Sequence, residues 1–358
     1  MKLSNLIVIA FALVSASANA QLYTQTNEAA GNRIAEIRVN PDGSFVKPRY
    51  FGTAGLGSGN GLGIQGAVAL TQDRRFLLAV NAGSNEISVF RLGGEAGAVL
   101  VSKAPSGGTR PVSVTTFGDL VYVVNATSAN IAGLYINPNG QLQSIPESIQ
   151  PLSTANAAPG QISFNPEGDA LYVTEKNNNR ITYFSVDTMG LASAPQFVPS
   201  PGSTPFGFGF GRRGKLIVTE AFPGIMNASA VSAFTTNDSG RPTVAAATIP
   251  TFQTAACWLA VTKNGKFAYA ANAASESIAG YRIYDDGTLA LLSPNGISSQ
   301  VSKGSGATDL AVDESNGLWM LAPRAGGVVA FSVDAAGKLT RGARIYNLPR
   351  TVTGLVYR

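Results

Sequence analysis

The chain has 358 residues, 45% hydrophobic and only 13% charged, with 40 glycines and 19 prolines, so it is a turn-rich globular chain too apolar for disorder. It contains no histidine, which excludes Ser-His-Asp and Cys-His catalysis and a histidine-ligated zinc site. The formal charge of +5 is spread over single basic residues without interleaved aromatics, a pattern that argues against nucleic-acid binding.

The chain opens with a processing signal: Lys2, an apolar run from Leu6 to Val14, and the small-x-small site Ala18-Asn19-Ala20. A leader over 1–20 and a mature, secreted domain over 21–358 are expected. The apolar run is too short to span a bilayer, and no later stretch approaches the roughly 20 apolar residues a span needs. Cys257 is alone, so the chain cannot form an internal disulfide. An extracellular monomer is expected.

A pattern then recurs every 45 to 50 residues or so, the spacing of four-stranded propeller blades. It is clear in "AVALTQDRRFLLAVNAGSNEISVFRL" (67–92), "SVTTFGDLVYVVNATSANIAGLYI" (113–136) and "GQISFNPEGDALYVTEKNNNRITYFSVDTMGLAS" (160–193). Further copies are "GFGFGRRGKLIVTEAFPGIMNASAVSAF" (207–234), "LAVTKNGKFAYAANAASESIAGYRI" (259–283) and "LAVDESNGLWMLAPRAGGVVAFSV" (310–333). The first copy, 22–45, lacks its first strand, and "TVTGLVYR" at 351–358 alternates like the missing one. The expected fold is all-β: a seven-bladed β-propeller of four-stranded antiparallel blades, closed by the C-terminal strand joining the first blade. No sustained helical stripe competes with this period-two patterning.

In such a meander the A–B and C–D turns share one face, and here they are short: "NPEGD", "TKNGK", "NPNGQ". The B–C and blade-to-blade connections share the other face and include long stretches such as "GTAGLGSGNGLGIQG" and "AFPGIMNASA", so a ligand site is expected there, near the channel.

Two rings of residues fall on that loop face. One follows the second strand: Asn27, Asn81, Asn125, Glu175, Glu220, Asn272 and Ala322. The other begins the inner strand: Ala67, Gln161, Gly207, Trp258 and Asp309, with Arg110 and Cys257 beside it. An Asn at such a position commonly satisfies turning backbone. Glu175 and Glu220 interrupt the Asn ring in adjacent blades and could form an acid–base pair, or could be ordinary ion-pair partners of residues such as Lys176 or Arg180. Arg110 and Arg324 could clamp a carboxylate, or be solvated charges. Gln161, Trp258, Asn272, Asp309 and Asn81 complete the candidate substrate contacts. No cofactor is expected; the oxygen ligands leave calcium conceivable without a sequential calcium loop. Three sequons, at Asn125, Asn227 and Asn237, are candidate glycosylation sites if the host glycosylates secreted proteins.

The repeats "NPEGDALYVTEKNNNRITYFSVD", "TKNGKFAYAANAASESIAGYRIYDDGTL" and "TQDRRFLLAVNAGSNEISVFRL" resemble the lactonase-type seven-bladed propellers, which include 6-phosphogluconolactonase-like and fungal carboxymuconate cyclase-like proteins. The resemblance covers the mature chain. It implies opening or closing of a lactone ring on a carboxylated or sugar-derived substrate, with an arginine on the substrate carboxylate and a His and a Glu moving protons. Family members often carry Pro-Arg-His entering an inner strand; here the stretch is Pro159-Gly160-Gln161, and Gln cannot transfer protons near neutral pH. Two functions therefore stand: a lactone-acting enzyme using Glu175 or Glu220 with Arg110 or Arg324, and a catalytically inactive propeller that binds a small ligand, a glycan or a surface protein.

Overall fold

The computed structural model describes residues 20–40 and 43–358, so nearly all of the expected leader lies outside it. Seven antiparallel sheets follow one another around a ring. The inner strands of blades 2 to 7 are Val68–Leu70, Pro111–Phe117, Pro159–Phe164, Pro205–Phe210, Ala256–Val261 and Leu310–Val312. Blade 1 runs outward through Gln21–Gln25, Arg33–Arg38 and Arg49–Gly52, and its inner strand is Thr353–Tyr357 from the far end of the chain. That strand pairs Leu22 with Tyr357 and Gln25 with Thr353, closing the ring as expected from the sequence.

Second strands read as nearly unbroken apolar runs because both their faces are covered by neighbouring blades. Phe76–Asn81 and Ala170–Glu175 are buried at every position. Outer strands face water, as in Val99–Pro105, where no position is buried.

Adjacent blades are also stapled by polar contacts with a fixed period. Tyr122, Tyr172 and Tyr269 occupy equivalent places on second strands. Their hydroxyls donate to the carbonyls of Gly190, Gly240 and Gly337, each in the C–D turn of the next blade, at 2.7, 2.6 and 2.7 Å. Burial pushes the Tyr122 phenol up to about 12 and the other two higher still, so all three stay protonated donors. No helix among the described residues is long and apolar enough to cross a membrane.

Candidate active site

Most of the ring after the second strand bonds to a connection between blades, while Asn272 bonds within its own blade and Ala322 has no polar side chain. Asn81 Oδ1 accepts from Thr53 Oγ1 at 2.8 Å, and Asn125 Nδ2 donates to the Ser106 carbonyl at 3.0 Å. Asn272 Nδ2 donates to Ser277 at 3.0 Å. The two glutamates do the same work with more lone pairs. Glu175 accepts from the Ser153 amide at 2.9 Å, from Asn178 Nδ2 at 2.8 Å, from Thr182 Oγ1 at 2.6 Å and from the Ser153 hydroxyl. Glu220 accepts from the Gly202 amide at 2.8 Å and from Ser232 and Ser200 hydroxyls at 2.7 and 3.1 Å. Burial raises the Glu220 carboxyl above its ordinary value, opposed by those bonds. Both glutamates are fully buried and turned into their own blades, so the expected carboxylate pair facing a ligand is not what the side chains form. Of the ring's asparagines, Asn27 and Asn125 bond backbone as expected, whereas Asn81 and Asn272 bond side chains.

The second ring borders the channel. Gln161 Oε1 accepts from the Phe208 amide at 2.8 Å, tying the inner strands of blades 4 and 5 together. Asp309, at the start of the seventh inner strand, faces Gly354 of the closing strand, whose amide hydrogen-bonds its carboxylate. Burial nevertheless pushes its carboxyl up to about 7. That is the range in which a carboxyl group can give and take protons at neutral pH.

Opposite, Lys176 follows Glu175 and reaches the channel mouth. Its ammonium lies 4.8 Å from the Phe206 ring centroid. Burial, with the charge of Arg110 adding to it, pulls its amine down to about 8, against the opposing influence of Cys257. The Cys257 thiol is pushed up to about 12 by burial, with Lys176 acting the other way, which makes it the inert apolar filler expected of a lone cysteine. Sequence reasoning treated Lys176 only as a partner for Glu175; nothing in the repeat marks it, since its neighbours come from other blades.

Arg110 is exposed at the entrance to the third inner strand, held by its backbone amide on Asn85 Oδ1 at 2.7 Å. Arg324 is also exposed, 4.0 Å from Glu276 on the rim. Asn227 and Asn237 are exposed, whereas Asn125 is fully buried by its bond to Ser106, so the folded chain does not present that sequon. Among the described residues no three Cys, Asp or Glu side chains converge as a metal set.

Over the loop-face mouth lies the connection from blade 1 to blade 2, residues 53–67. Lys176 Nζ donates to the Gly63 carbonyl and Trp258 Nε1 to the Ile64 carbonyl, both at 2.8 Å. Gln65 Nε2 donates to the Leu259 carbonyl and its Oε1 accepts from the Leu259 amide, again at 2.8 Å each. At the opposite end of the channel a cleft of about 450 Å3 is lined by Leu70, Arg74, Lys263, Val312 and Leu355. A cleft of about 800 Å3 lies between blades 2 and 3 on the tight-turn face, away from every expected site residue.

The family model for lactonases with a seven-bladed β-propeller matches residues 67–243. No curated protein matches the sequence. Among solved structures, the periplasmic gluconolactonase of Pseudomonas aeruginosa superposes with a TM-score of 0.73 at 16% identity, covering 95% of this chain and 98% of that one. A candidate 6-phosphogluconolactonase from Bacteroides fragilis gives 0.69 at 18% identity, with 95% and 98% covered. An inactive histidine-to-alanine variant of virginiamycin B lyase from Staphylococcus aureus, holding quinupristin, gives 0.53 at 17%, with 76% and 82% covered. At these identities the superpositions speak for the fold alone, so the chain is a seven-bladed β-propeller whose residues 67–243 are similar to the lactonase-type propellers.

Proposed function

We propose that the protein acts on the lactone ring of a carboxylated or sugar-derived substrate bound at the loop-face mouth of the channel. What supports this reading is that the loop-face ends of different blades carry both cations and a buried carboxyl raised toward neutrality. Arg110 and Lys176 supply positive charge to one side, and Asp309, pushed up to about 7, lies in the channel wall. In this reading Asp309 takes the proton of the attacking water during ring opening and returns one to the departing alkoxide. Arg110 and Lys176 bind the substrate carboxylate or its acyl oxygen. Glu175 and Glu220, buried and hydrogen-bonded to their own blades and the connections into them, brace the site rather than touch the substrate. The N-terminal run is read as a secretion leader, which N-terminal sequencing of the exported protein would verify.

Acid release in a pH-stat against a panel of sugar and muconate-type lactones tests the proposal. Turnover is expected in wild type, with and without chelator, and is expected to fall at least 100-fold in Asp309→Asn. Loss of turnover in folded Glu175→Gln but not in Asp309→Asn would return the base role to the glutamate.

The absence of histidine supports a second reading, a propeller that binds carboxylates without turning them over. It predicts a flat pH-stat trace across the panel together with a ligand-dependent rise in melting temperature.

A further inference from the structure

The connection at 53–67 joins neighbouring blades, yet it reaches across the mouth to blades far around the ring. Its Gln65 amide donates to Gly160 of blade 4 at 2.9 Å, and its Gln65 side chain clasps Leu259 of blade 6. Leu62 and Ile64 are buried, while Gly61 and Gly63, on either side of Leu62, are exposed. Gly207 on the fifth inner strand makes room for this crossing: a Cβ there would sit 2.3 Å from Gln65 Oε1.

The crossing takes up donors of a particular kind. An ammonium and an indole N–H are aimed at two consecutive backbone carbonyls, and both are donors that a carboxylate or ester oxygen would accept from. Building on the lactone reading above, we propose that this loop is a displaceable plug, with the carbonyls of Gly63 and Ile64 standing in for ligand oxygens on Lys176 and Trp258. When it leaves, those two groups become the ligand's anchors and the route to Gln161 and the channel wall opens.

The single cysteine provides a direct readout. Cys257 is buried on the strand stretch the loop holds: Trp258 and Leu259 after it bond Ile64 and Gln65, and its carbonyl and Gln65 Oε1 both lie against Gly207. Alkylation by iodoacetamide, which is neutral and so insensitive to the surrounding cations, can be followed by intact mass. Gln65→Ala removes both side-chain bonds to Leu259 and leaves every inner strand intact. It is expected to speed alkylation at least tenfold while far-ultraviolet circular dichroism stays that of wild type. Folded Gln65→Ala reacting at the wild-type rate overturns the plug.

Should that variant not fold, hydrogen exchange on the wild type decides. Amides in 55–65 are expected to exchange at least 100-fold faster than those of Ala170–Glu175. Equal protection in the two segments makes the loop a permanent part of the core and overturns the proposal. Neither measurement uses a substrate, so failure here leaves the lactone reading standing, and an inactive lactone panel leaves the plug standing.

Discussion

A buried carboxyl with a displaced titration leaves a mark on stability as well as on chemistry, and Asp309 gives the sign. Its folded value of about 7 exceeds the ordinary 3.8, so between those values the folded chain holds a proton that the unfolded chain releases. Its contribution to stability is therefore complete below about pH 4 and is lost as pH rises through 7. Asp309→Asn should remove that loss, raising the melting temperature at pH 8 by an amount equivalent to roughly 2–4 kcal/mol, and much less at pH 4. Thermal unfolding of both proteins across that range tests it. The brace residues give a second contrast. Ser153 donates to Glu175 by amide and hydroxyl, whereas Ser305, in the corresponding connection ahead of blade 7, has a buried hydroxyl without a partner among the described residues. The reason lies in the ring itself, where blade 7 carries Ala322 in place of Asn or Glu. Ser153→Ala should cost about 1–3 kcal/mol and Ser305→Ala close to nothing, as read from denaturant melts. The identity of these ring positions was legible from aligned repeats. Which way Glu175 and Glu220 point was not, because a carboxylate at that register can face the channel or its own blade, and only the neighbouring Ser, Thr and Gly donors decide.

At the level of strands and turns, periodicity carried further. Second strands announced themselves as short apolar runs and tight turns by Asn, Asp, Gly and Pro, since these are local consequences of burial on two faces and of backbone reversal. The tyrosine staples are a repeated device of the same kind, although their partners lie a blade away. Tyr172→Phe leaves the Gly240 carbonyl without its donor in a buried setting, and should destabilise by about 1–3 kcal/mol with no change in any lactone turnover per folded molecule. The long loop 53–67 was readable only as a glycine-rich, irregular segment. Its course over the channel depends on contacts with residues 113 and 194 positions away, which no local pattern encodes.

For the whole molecule the closing contact is the pairing of Thr353–Tyr357 with Gln21–Gln25, reinforced by Tyr357 stacked on Trp319 with ring centroids 6.1 Å apart. Deleting residues 353–358 would leave Gln21–Gln25 as an open edge facing the channel. The truncated chain should lose its sharp unfolding transition and elute as aggregate on size exclusion, whereas an exposed-loop deletion of equal length should not. That closure, the blade count and the loop face as the side bearing the long connections follow from sequence alone, because each repeat is a local unit whose apolar pattern can be satisfied only by stacking on copies of itself. The tertiary structure alone decided that the glutamates brace the blades, that Asp309 and Lys176 carry the shifted titrations, and that a distant loop covers the mouth. Burial, dielectric and donor geometry at those places are sums over residues brought together from different blades, and such sums exist only once the ring has closed.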